Sequence, residues 1–328
     1  MATYKGIQGY TVQSLASDPT PTADYVGQMW YNSGSNVWKL AIEGSAAWAS
    51  GNVMNTNRRR GVCAGTQGAG IAAGGYLSNN ETETFNGTTW TSVNDLNTGR
   101  DQGGNNWGTN TASLYVSGAK APWPTLTAEV EKWDGTSWSV VNDVQTARRN
   151  MCGAGTVTAA VGAGGYAPGY SKLAETYNGT SWTEVNTMNT GRTYVGSGGA
   201  VSTAALCLAG EVPGGVTNIV EKFNGTCWSE EGDLNTARAS LGGAGTSTLG
   251  LAFGGSEPAY SNKTESFDGT TWTAVANLGT AISQQFGCGT QAAALSAGGD
   301  PGSSPGSPTT ATELWNDPVY TIKTVTTS

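Results

Sequence analysis

Between residues 46 and 316, short apolar runs alternate with polar turns, and the same alternation returns at regular intervals. One copy reads TESFDGTTWTAV, from Thr264 to Val275, with strand-like alternation on both sides of an Asp-Gly pair. Alternation with a period of two predicts strands, and Asn-Gly or Asp-Gly between strands favours a type I′ turn with positive φ at both central residues. Each copy therefore predicts two antiparallel strands joined at a tight turn.

Five such hairpins share an aromatic residue, an Asn-Gly or Asp-Gly pair, a Thr and a Trp. They read FNGTTW, WDGTSW, YNGTSW, FNGTCW and FDGTTW, with Trp spacings of 48, 44, 46 and 44 residues. Each unit also has a strand rich in Gly and Ala, and a second strand that closes on two small residues. Six such closing pairs, from Gly74-Gly75 to Gly298-Gly299, indicate six units. Four strands in about 45 residues are typical of a β-propeller blade. In the fifth unit we expect strands at 239–246, 249–255, 263–268 and 270–275.

The pattern resembles the kelch family of propellers, which also has a double Gly closing the second strand and an aromatic residue and a Trp downstream. The resemblance covers residues 46–316, although the aromatic residue and the Trp are closer together than in the usual kelch repeat. It implies an all-β chain whose body is a six-bladed kelch-like β-propeller. We expect residues 1–45 to form a small N-terminal β-hairpin attachment segment and residues 317–328 to form a C-terminal tail or extra strand.

The two ends of the repeat region predict how the last blade is completed. Residues 46–58 match the last strand of a unit and the segment after it, with Trp48 in register with the repeated Trp. The sixth unit has three strands, the third around Trp315, and then Asp-Pro where the hairpin Gly-Thr is expected. We expect the strand around Trp48 to pair with the strand around Trp315. The alternative is that the alternating stretch 319–325 supplies the missing strand or adds a fifth.

Charged residues recur in register with the repeat. A glutamate precedes each motif aromatic by two residues, and in five units an arginine ends the segment after the Trp. Opposite charges at fixed places in every unit are expected to brace neighbouring strands through charge-assisted hydrogen bonds. The alternative is a ring of acid/base or anion-binding groups. With the repeated tryptophans, the structural repeat positions are Glu83, Glu131, Glu175, Glu221, Glu265, Glu313, Arg58, Arg100, Arg148, Arg192, Arg238, Trp48, Trp90, Trp138, Trp182, Trp228 and Trp272.

Composition narrows the possible functions. A formal net charge of −8 gives no general attraction to nucleic acid, and no stretch has the length and apolarity of a membrane span. The chain has no histidine, which excludes a copper oxidase of the kelch type and removes the commonest general base. Its five cysteines show no Cys-x-x-Cys spacing, so we expect buried thiols instead of a disulfide framework or a zinc site. No metal, cofactor or enzymatic activity is expected.

One enzymatic alternative stays open. The stretches DGTSW and DGTTW are similar to the Asp-box hairpins of sialidases, which also need clustered arginines and a tyrosine nucleophile backed by a glutamate. In this chain the Asp and Gly are adjacent, and the repeated arginines are dispersed one per unit. A sialidase-like glycan-processing propeller is therefore the less favoured function.

The loops between the second and third strands of each unit are expected to share one face, and they vary in length and sequence. Variable loops on a rigid scaffold commonly carry recognition, and aromatic rings can stack on the apolar faces of sugars. The predicted contacts with a glycan or protein partner are Tyr76, Trp123, Tyr166, Tyr170 and Tyr260. The alternative is that these rings only cover the loop backbone.

The N-terminal stretch contains GQMWYN, a Ser-Gly turn and NVWKLAI, which together predict a hairpin from Gly27 to Ile42. This stretch is similar to short modules near the ends of structural proteins of tailed bacteriophages. With the kelch-like body and the Thr-rich end, the chain resembles virion proteins of marine tailed phages. The resemblance implies a structural protein associated with the tail or a fibre, whose loops contact a host-surface glycan or protein. A capsid decoration or cement protein is the alternative, and an intracellular kelch adaptor is less favoured.

The same resemblance implies where the protein is found and what it binds. The N-terminus lacks the pattern of a signal peptide, so we expect synthesis in the host cytoplasm and a final location in the virion. The expected partners are other virion proteins, held through residues 1–45 and the C-terminal tail in a multi-copy assembly.

Overall fold

The computed structural model of the chain describes residues 13–76, 80–104, 107–302, 307–318 and 320–326. The first twelve residues of the expected attachment segment and parts of the loops at 77–79 and 303–306 lie outside the described residues. The chain divides into two compact units. One comprises Ala47–Asn316, and the other combines Met1–Ala46 with Asp317–Ser328.

Within the described residues, the first unit contains six antiparallel four-stranded sheets, numbered here in chain order. The strands of sheets 1, 2 and 3 are, in order, Val62–Thr66, Ala69–Ala73, Thr82–Phe85 and Trp90–Val93; Gly108–Thr109, Ala112–Val116, Val130–Trp133 and Trp138–Val141; Cys152–Thr156, Ala159–Ala163, Ala174–Tyr177 and Trp182–Val185. Those of sheets 4, 5 and 6 are Gly196–Val201, Ala204–Val212, Gly215–Phe223 and Trp228–Glu230; Gly242–Gly245, Gly250–Phe253, Thr264–Phe267 and Trp272–Val275; Phe286–Gly289, Ala293–Ala297, Thr312–Asn316 and Ala47–Ser50. All four strands expected in the fifth unit are present.

Loops between second and third strands add two short hairpins, Ala119–Lys120 with Thr125–Leu126 and Ser256–Glu257 with Ala259–Tyr260. The arrangement is all-β and propeller-like.

Small residues in the first strands let neighbouring sheets approach closely. A Cβ atom on Gly243 would lie 2.3 Å from the carbonyl oxygen of Ser197, and one on Gly287 would lie 2.8 Å from the backbone nitrogen of Gly243. Both distances are shorter than a carbon atom permits, so these strands approach backbone to backbone. The first strands of consecutive sheets contact each other in chain order, and the first strand of sheet 6 contacts that of sheet 1.

The hairpin tips differ from the expected type I′ turns. The glycines have positive φ, for example 96° at Gly135, but the Asp or Asn before each of them does not. Instead, the Asp134 carboxylate accepts hydrogen bonds from the backbone N–H groups of Thr136 and Ser137, both at 2.8 Å. These bonds hold the pKa of Asp134 below its usual value. The Asp and Asn residues are therefore selected as side-chain caps of the turn, a role that the dipeptide alone does not reveal.

The strand Ala47–Ser50 pairs with Thr312–Asn316 in sheet 6, and Trp48 stands opposite Trp315 in the expected register. Sheets 1 and 6 also contact each other through side chains. The Trp90 indole N–H donates to the Thr312 hydroxyl at 3.1 Å, and the Sγ atoms of Cys63 and Cys288 are 2.8 Å apart. The segment that precedes sheet 1 in the chain thus completes sheet 6, and the two sheets contact each other through polar and buried side chains.

The repeated arginines and glutamates form buried ion pairs in five sheets. Each arginine lies in the segment that enters a sheet, and its Nη2 atom contacts the glutamate of that sheet's third strand. In sheet 3 the Arg148–Glu175 distance is 2.8 Å, both side chains are at most 1% exposed, and the other Glu175 oxygen accepts the backbone N–H of Gln145. Sheet 6 has Ile282 in place of the arginine, and its Glu313 is half-buried and bonds the backbone N–H of Gly279.

The repeated tryptophans contact the preceding sheet. The indole N–H groups of Trp48, Trp90 and Trp138 each donate to a threonine hydroxyl just before the repeated glutamate of that sheet, at 2.9 to 3.1 Å. The buried indole nitrogens of Trp182, Trp228 and Trp272 have no partner among the described residues. At the matching places the preceding sheets have apolar residues, namely Val130, Ala174 and Val220. An unpaired buried donor lowers stability.

The two ends of the chain form one small sheet. The expected hairpin is present as Met29–Asn32 and Val37–Glu43, and Ser14–Leu15 pairs with the first of these strands. Tyr320–Thr324 pairs antiparallel with Val37–Glu43. The stretch is therefore an extra strand, as one of the two expectations had it, but its partner is the N-terminal hairpin, so the alternative that it completes or extends the last propeller blade is wrong. A short 3₁₀ helix, Ala23–Tyr25, precedes the hairpin.

Four cysteines are buried, as expected, and Cys227 is an exception. It is exposed because it occupies a hairpin-tip position where the other copies have Thr or Ser. The thiols of Cys63 and Cys288 contact each other directly, a proximity that sequence spacing does not reveal.

Replacing Val220 with Thr should stabilise the protein. The two side chains have almost the same shape, and the new hydroxyl would accept the Trp272 indole N–H as Thr82 accepts that of Trp138. We expect the free energy of unfolding to rise by about 1 kcal/mol, measured by urea denaturation. The reciprocal control, Thr82→Val, should lower it by a similar amount. A Val220→Thr variant less stable than the wild type would contradict the proposed indole contact.

Replacing Glu175 with Gln should destabilise the protein because the buried Arg148 charge loses its counter-charge. We expect a loss of about 3 kcal/mol in the free energy of unfolding. The control is Glu184→Gln, at the exposed residue directly opposite Glu175, which should change stability by less than about 0.5 kcal/mol. Equal effects of the two substitutions would show that the repeated pairs do not support the scaffold.

Candidate functional site

The segments that link consecutive sheets lie beside the loops between the second and third strands. Single bridge pairs join the two sets, and we name the surface that they form the loop face. The pairs are Arg58 with Thr309, Asp101 with Ala119, Arg149 with Tyr166, Thr193 with Glu211, Ala239 with Ser256 and Ser283 with Asp300. All five candidate aromatic residues belong to these loops.

Six residues surround a central cavity on the loop face, and we name them the mouth residues. Each follows the buried arginine of its segment, or Ile282, by two positions, and each has a φ between 55° and 62°. Backbone hydrogen bonds run between neighbours, for example from the N–H of Gln102 to the carbonyl of Arg60 at 2.7 Å. These bonds offset the cost of a left-handed backbone at non-glycine positions. The mouth residues are Arg60, Gln102, Asn150, Tyr194, Ser240 and Gln284.

Charge at the mouth is confined to three of the six linking segments. The two residues after the buried arginine include a charged side chain in the segments that enter sheets 1, 2 and 3. In the segments that enter sheets 4, 5 and 6 the matching residues are uncharged. The charged residues are Arg59, Arg60, Asp101 and Arg149, and the uncharged counterparts are Thr193, Tyr194, Ala239, Ser240, Ser283 and Gln284. The backbone repeats around the cavity, and the side-chain charge does not.

Two of the candidate aromatics adjoin Arg59. Its guanidinium lies 4.7 Å from the centre of the Tyr76 ring and forms an ion pair with Asp300 at 2.8 Å. The Arg60 guanidinium lies 5.6 Å from the same ring. Burial, followed by the charge of Asp300 and a hydrogen bond to it, raises the pKa of Tyr260. The Tyr260 hydroxyl therefore interacts with the Asp300 carboxylate of its own chain.

Trp123 and Tyr166 lie on either side of Arg149, with ring centres 5.5 and 4.8 Å from its guanidinium carbon. The Nε and Nη1 atoms of Arg149 are buried and have no hydrogen-bond partner among the described residues. The Trp123 indole N–H donates to Oδ1 of Asp101 at 3.3 Å, and the buried Oδ2 has no partner in the described part of the chain. Burial raises the pKa of Asp101, and the charge of Arg60 partly offsets this effect.

The five candidate aromatics thus differ in how freely they can bind. Tyr76 is 42% exposed and Trp123 is 51% exposed. Tyr166, Tyr170 and Tyr260 are less exposed, because each is partly buried. The Tyr170 hydroxyl donates to Oε1 of Glu211 at 2.8 Å, so this group is already paired. Tyr76 and Trp123 are the two rings with large open surfaces.

Tyr76 and Trp123 line a common small, open pocket on the loop face. Its remaining lining residues are Asp101, Ala119, Lys120 and Ala121. The Lys120 ammonium pairs with Glu129, so its charge is compensated. Two aromatic rings and a carboxylate around a small open pocket are suited to a ligand with both apolar faces and polar edges, and a sugar ring is such a ligand.

Sequence reasoning missed the role of Arg59, Arg60 and Arg149, since it considered only the five repeated arginines and judged the arginines dispersed. The structure brings these three non-repeated arginines to one side of the loop face. The signal was present in the alignment of the units. Positions one and two after the repeated arginine vary in charge, whereas the positions around them repeat.

A second cavity lies at the opposite ends of the first strands, where they turn into the second strands. It is mostly apolar and is lined by Gly, Thr and Ala residues from all six sheets, such as Thr66 and Gly245. It carries no charged side chain and offers little to a specific ligand. Within the described ranges there is no group of three or more His, Cys, Asp or Glu placed to hold a metal. No helix of the described residues has the length and apolarity to cross a bilayer.

Comparison with known proteins addresses the fold alone. No protein-family model matches the chain, and no curated protein matches it. Among solved structures the chain is similar to one described as "Structure of YjhT", with a TM-score of 0.69 and 12% sequence identity. The likeness covers 83% of this chain and 99% of that chain. At this identity the two chains share a fold, and function has to be argued from the site.

Proposed function

We propose that the Ala47–Asn316 unit is a six-bladed kelch-like β-propeller in a structural protein of a phage virion, associated with the tail or a fibre. Its loop face contacts a glycan or protein on the host surface. Six four-stranded sheets, the contact of the first strands of sheets 1 and 6, and the completion of sheet 6 by Ala47–Ser50 support six closed blades.

The observation that carries the binding role is the pair of open rings, Tyr76 and Trp123, across one pocket. Large exposed aromatic side chains in the same pocket are costly to solvate, and binding a partner would remove this cost. Asp101 and the surrounding arginines supply polar groups that fix the orientation of a ligand. The rings that are paired within the chain, such as Tyr170, act as supports for the loops.

The virion role is supported by the resemblance of the N-terminal stretch to phage modules and by the sheet that the chain ends form. Met29 and Trp38 are 44% and 41% exposed on this sheet. We propose that residues 1–45 and the C-terminal strand attach the protein to other virion proteins in multiple copies. The alternative, a capsid decoration or cement protein, uses the same attachment and assigns the loop face to neighbouring capsid proteins.

A sialidase-like enzyme is the second candidate, because the structure pairs a tyrosine with a glutamate on the face that holds three clustered arginines. The hydrogen bond to Glu211, followed by burial, raises the pKa of Tyr170, which keeps its hydroxyl protonated and weakly nucleophilic. Arg59 is held by Asp300, and Arg149 lies between two rings. These arginines do not converge with Tyr170 on one open pocket, so we favour binding without catalysis.

Replacing both Tyr76 and Trp123 with Ala in the phage should slow adsorption to host cells at least tenfold, because two contact rings are removed. Particle yield should be unchanged. Adsorption is measured as the loss of free infectious particles with time, and yield by electron microscopy. The control is Val140→Ala, an even more exposed apolar residue in the last strand of sheet 2. Lost yield with normal adsorption of the remaining particles would favour the cement protein. Wild-type levels of both would show that this face is not the working surface.

A further inference from the structure

Arg60 is the only charged member of the six mouth residues. Its Nε donates to the side-chain oxygen of Gln284 at 2.9 Å, and it forms no ion pair with any described residue. Burial, followed by repulsion from the neighbouring Arg59, lowers the pKa of Arg60. Arg59 itself is paired with Asp300, whereas no described carboxylate forms an ion pair with Arg60, and Asp101 attracts it only from a longer distance. A partly buried cation without a carboxylate in direct contact is a favourable place for an anion.

The neighbourhood of Arg60 has further unused polar groups. The Nε2 atom of Gln102 and the Oε1 atom of Gln285 are buried at the mouth cavity and have no partner among the described residues. Arg149 adds a second guanidinium without a carboxylate partner. Among these five side chains, the three guanidinium groups outnumber the carboxylates of Asp101 and Asp300. The whole chain, in contrast, carries a net charge of −8.

Arg60 also connects the mouth cavity with the aromatic pocket. Its guanidinium carbon lies 5.6 Å from the centre of the Tyr76 ring, and Tyr76 shares the pocket with Trp123. Because this distance is short, a sugar ring stacked on Tyr76 brings a substituent at its edge within reach of Arg60. One ligand can therefore contact the open ring and the unpaired cation together.

We infer that the loop face binds an acidic sugar residue, with its ring on Tyr76 in the pocket shared with Trp123 and its anionic group at Arg60. The inference rests on the proposed glycan-binding function and names its ligand class. The anionic group is a carboxylate or a sulfate, and both accept hydrogen bonds from a guanidinium. Binding places a negative charge in direct contact with the Arg60 guanidinium, which no described carboxylate does in the free protein.

The test uses three matched probes: methyl β-D-glucuronide, methyl β-D-glucoside 6-sulfate and the neutral methyl β-D-glucoside. Affinity is measured by tryptophan fluorescence, since the exposed Trp123 lies in the pocket. At least one acidic probe should bind ten or more times more tightly than the neutral probe. Which acidic probe binds better identifies the anionic group.

The variant Arg60→Gln places at this position the residue that Gln102 and Gln284 provide at equivalent positions with the same backbone conformation. It should abolish the preference for the acidic probes, whereas Arg60→Lys should retain part of it. Lys323→Gln, at an exposed residue in the sheet formed by the chain ends, removes the same charge outside the loop face and should leave the preference unchanged. For the wild-type protein, the preference should also fall in about 0.5 M salt, a measurement that needs no variant.

Equal affinity for acidic and neutral probes, no binding of either acidic probe, or an unchanged preference in Arg60→Gln would each overturn the inference. These results are distinguishable from failure of the proposed function. If the Tyr76 and Trp123 substitutions still slow adsorption, the loop face remains the host-binding surface and its ligand is a neutral glycan or a protein.

Discussion

The buried pair of an arginine and a glutamate, made in five of the sheets, is the interaction on which the rest of the first unit depends. Each arginine fixes the segment that enters a sheet to the third strand of that sheet, out of contact with water. In a medium of low polarity either charge alone would be costly, so the pair forms as a whole or the segment does not dock. The two residues after the arginine are positioned by the same anchor, and they contribute to the loop face beside the loops.

In this arrangement the backbone of the mouth residues is constant from sheet to sheet, whereas their side chains vary. The backbone of the mouth residues repeats from sheet to sheet, with similar φ values and hydrogen bonds between neighbours. Because these bonds use only backbone atoms, the side chains of the mouth residues can change without loss of the backbone hydrogen bonds around the cavity. Charge and open aromatic surface have accumulated on the side formed by sheets 1 to 3, around Arg60, Tyr76 and Trp123. On the other side the matching mouth residues, such as Ser240 and Gln284, are uncharged and keep the same backbone conformation.

The sequence predicted most of the scaffold because the scaffold repeats. The Trp motif located the third and fourth strands, and Trp48 was correctly paired with Trp315. The pairing of Tyr320–Thr324 with the N-terminal hairpin was missed, since a single alternating stretch does not identify its partner strand. The candidate aromatics were placed on the correct loops, but their surroundings were not predictable. Whether a ring is open, as at Tyr76, or bonded to a carboxylate, as at Tyr170, depends on residues from neighbouring sheets.

The central claim is that a repeating scaffold presents one asymmetric site for an acidic sugar. A crystal structure of the protein soaked with an acidic oligosaccharide, such as a glucuronate-containing tetrasaccharide, tests it most directly. The account predicts sugar density on the loop face, with one ring on Tyr76 and an anionic group at the Arg60 guanidinium. Density only at the apolar cavity on the opposite side, or only on the sheet formed by the chain ends, would contradict it.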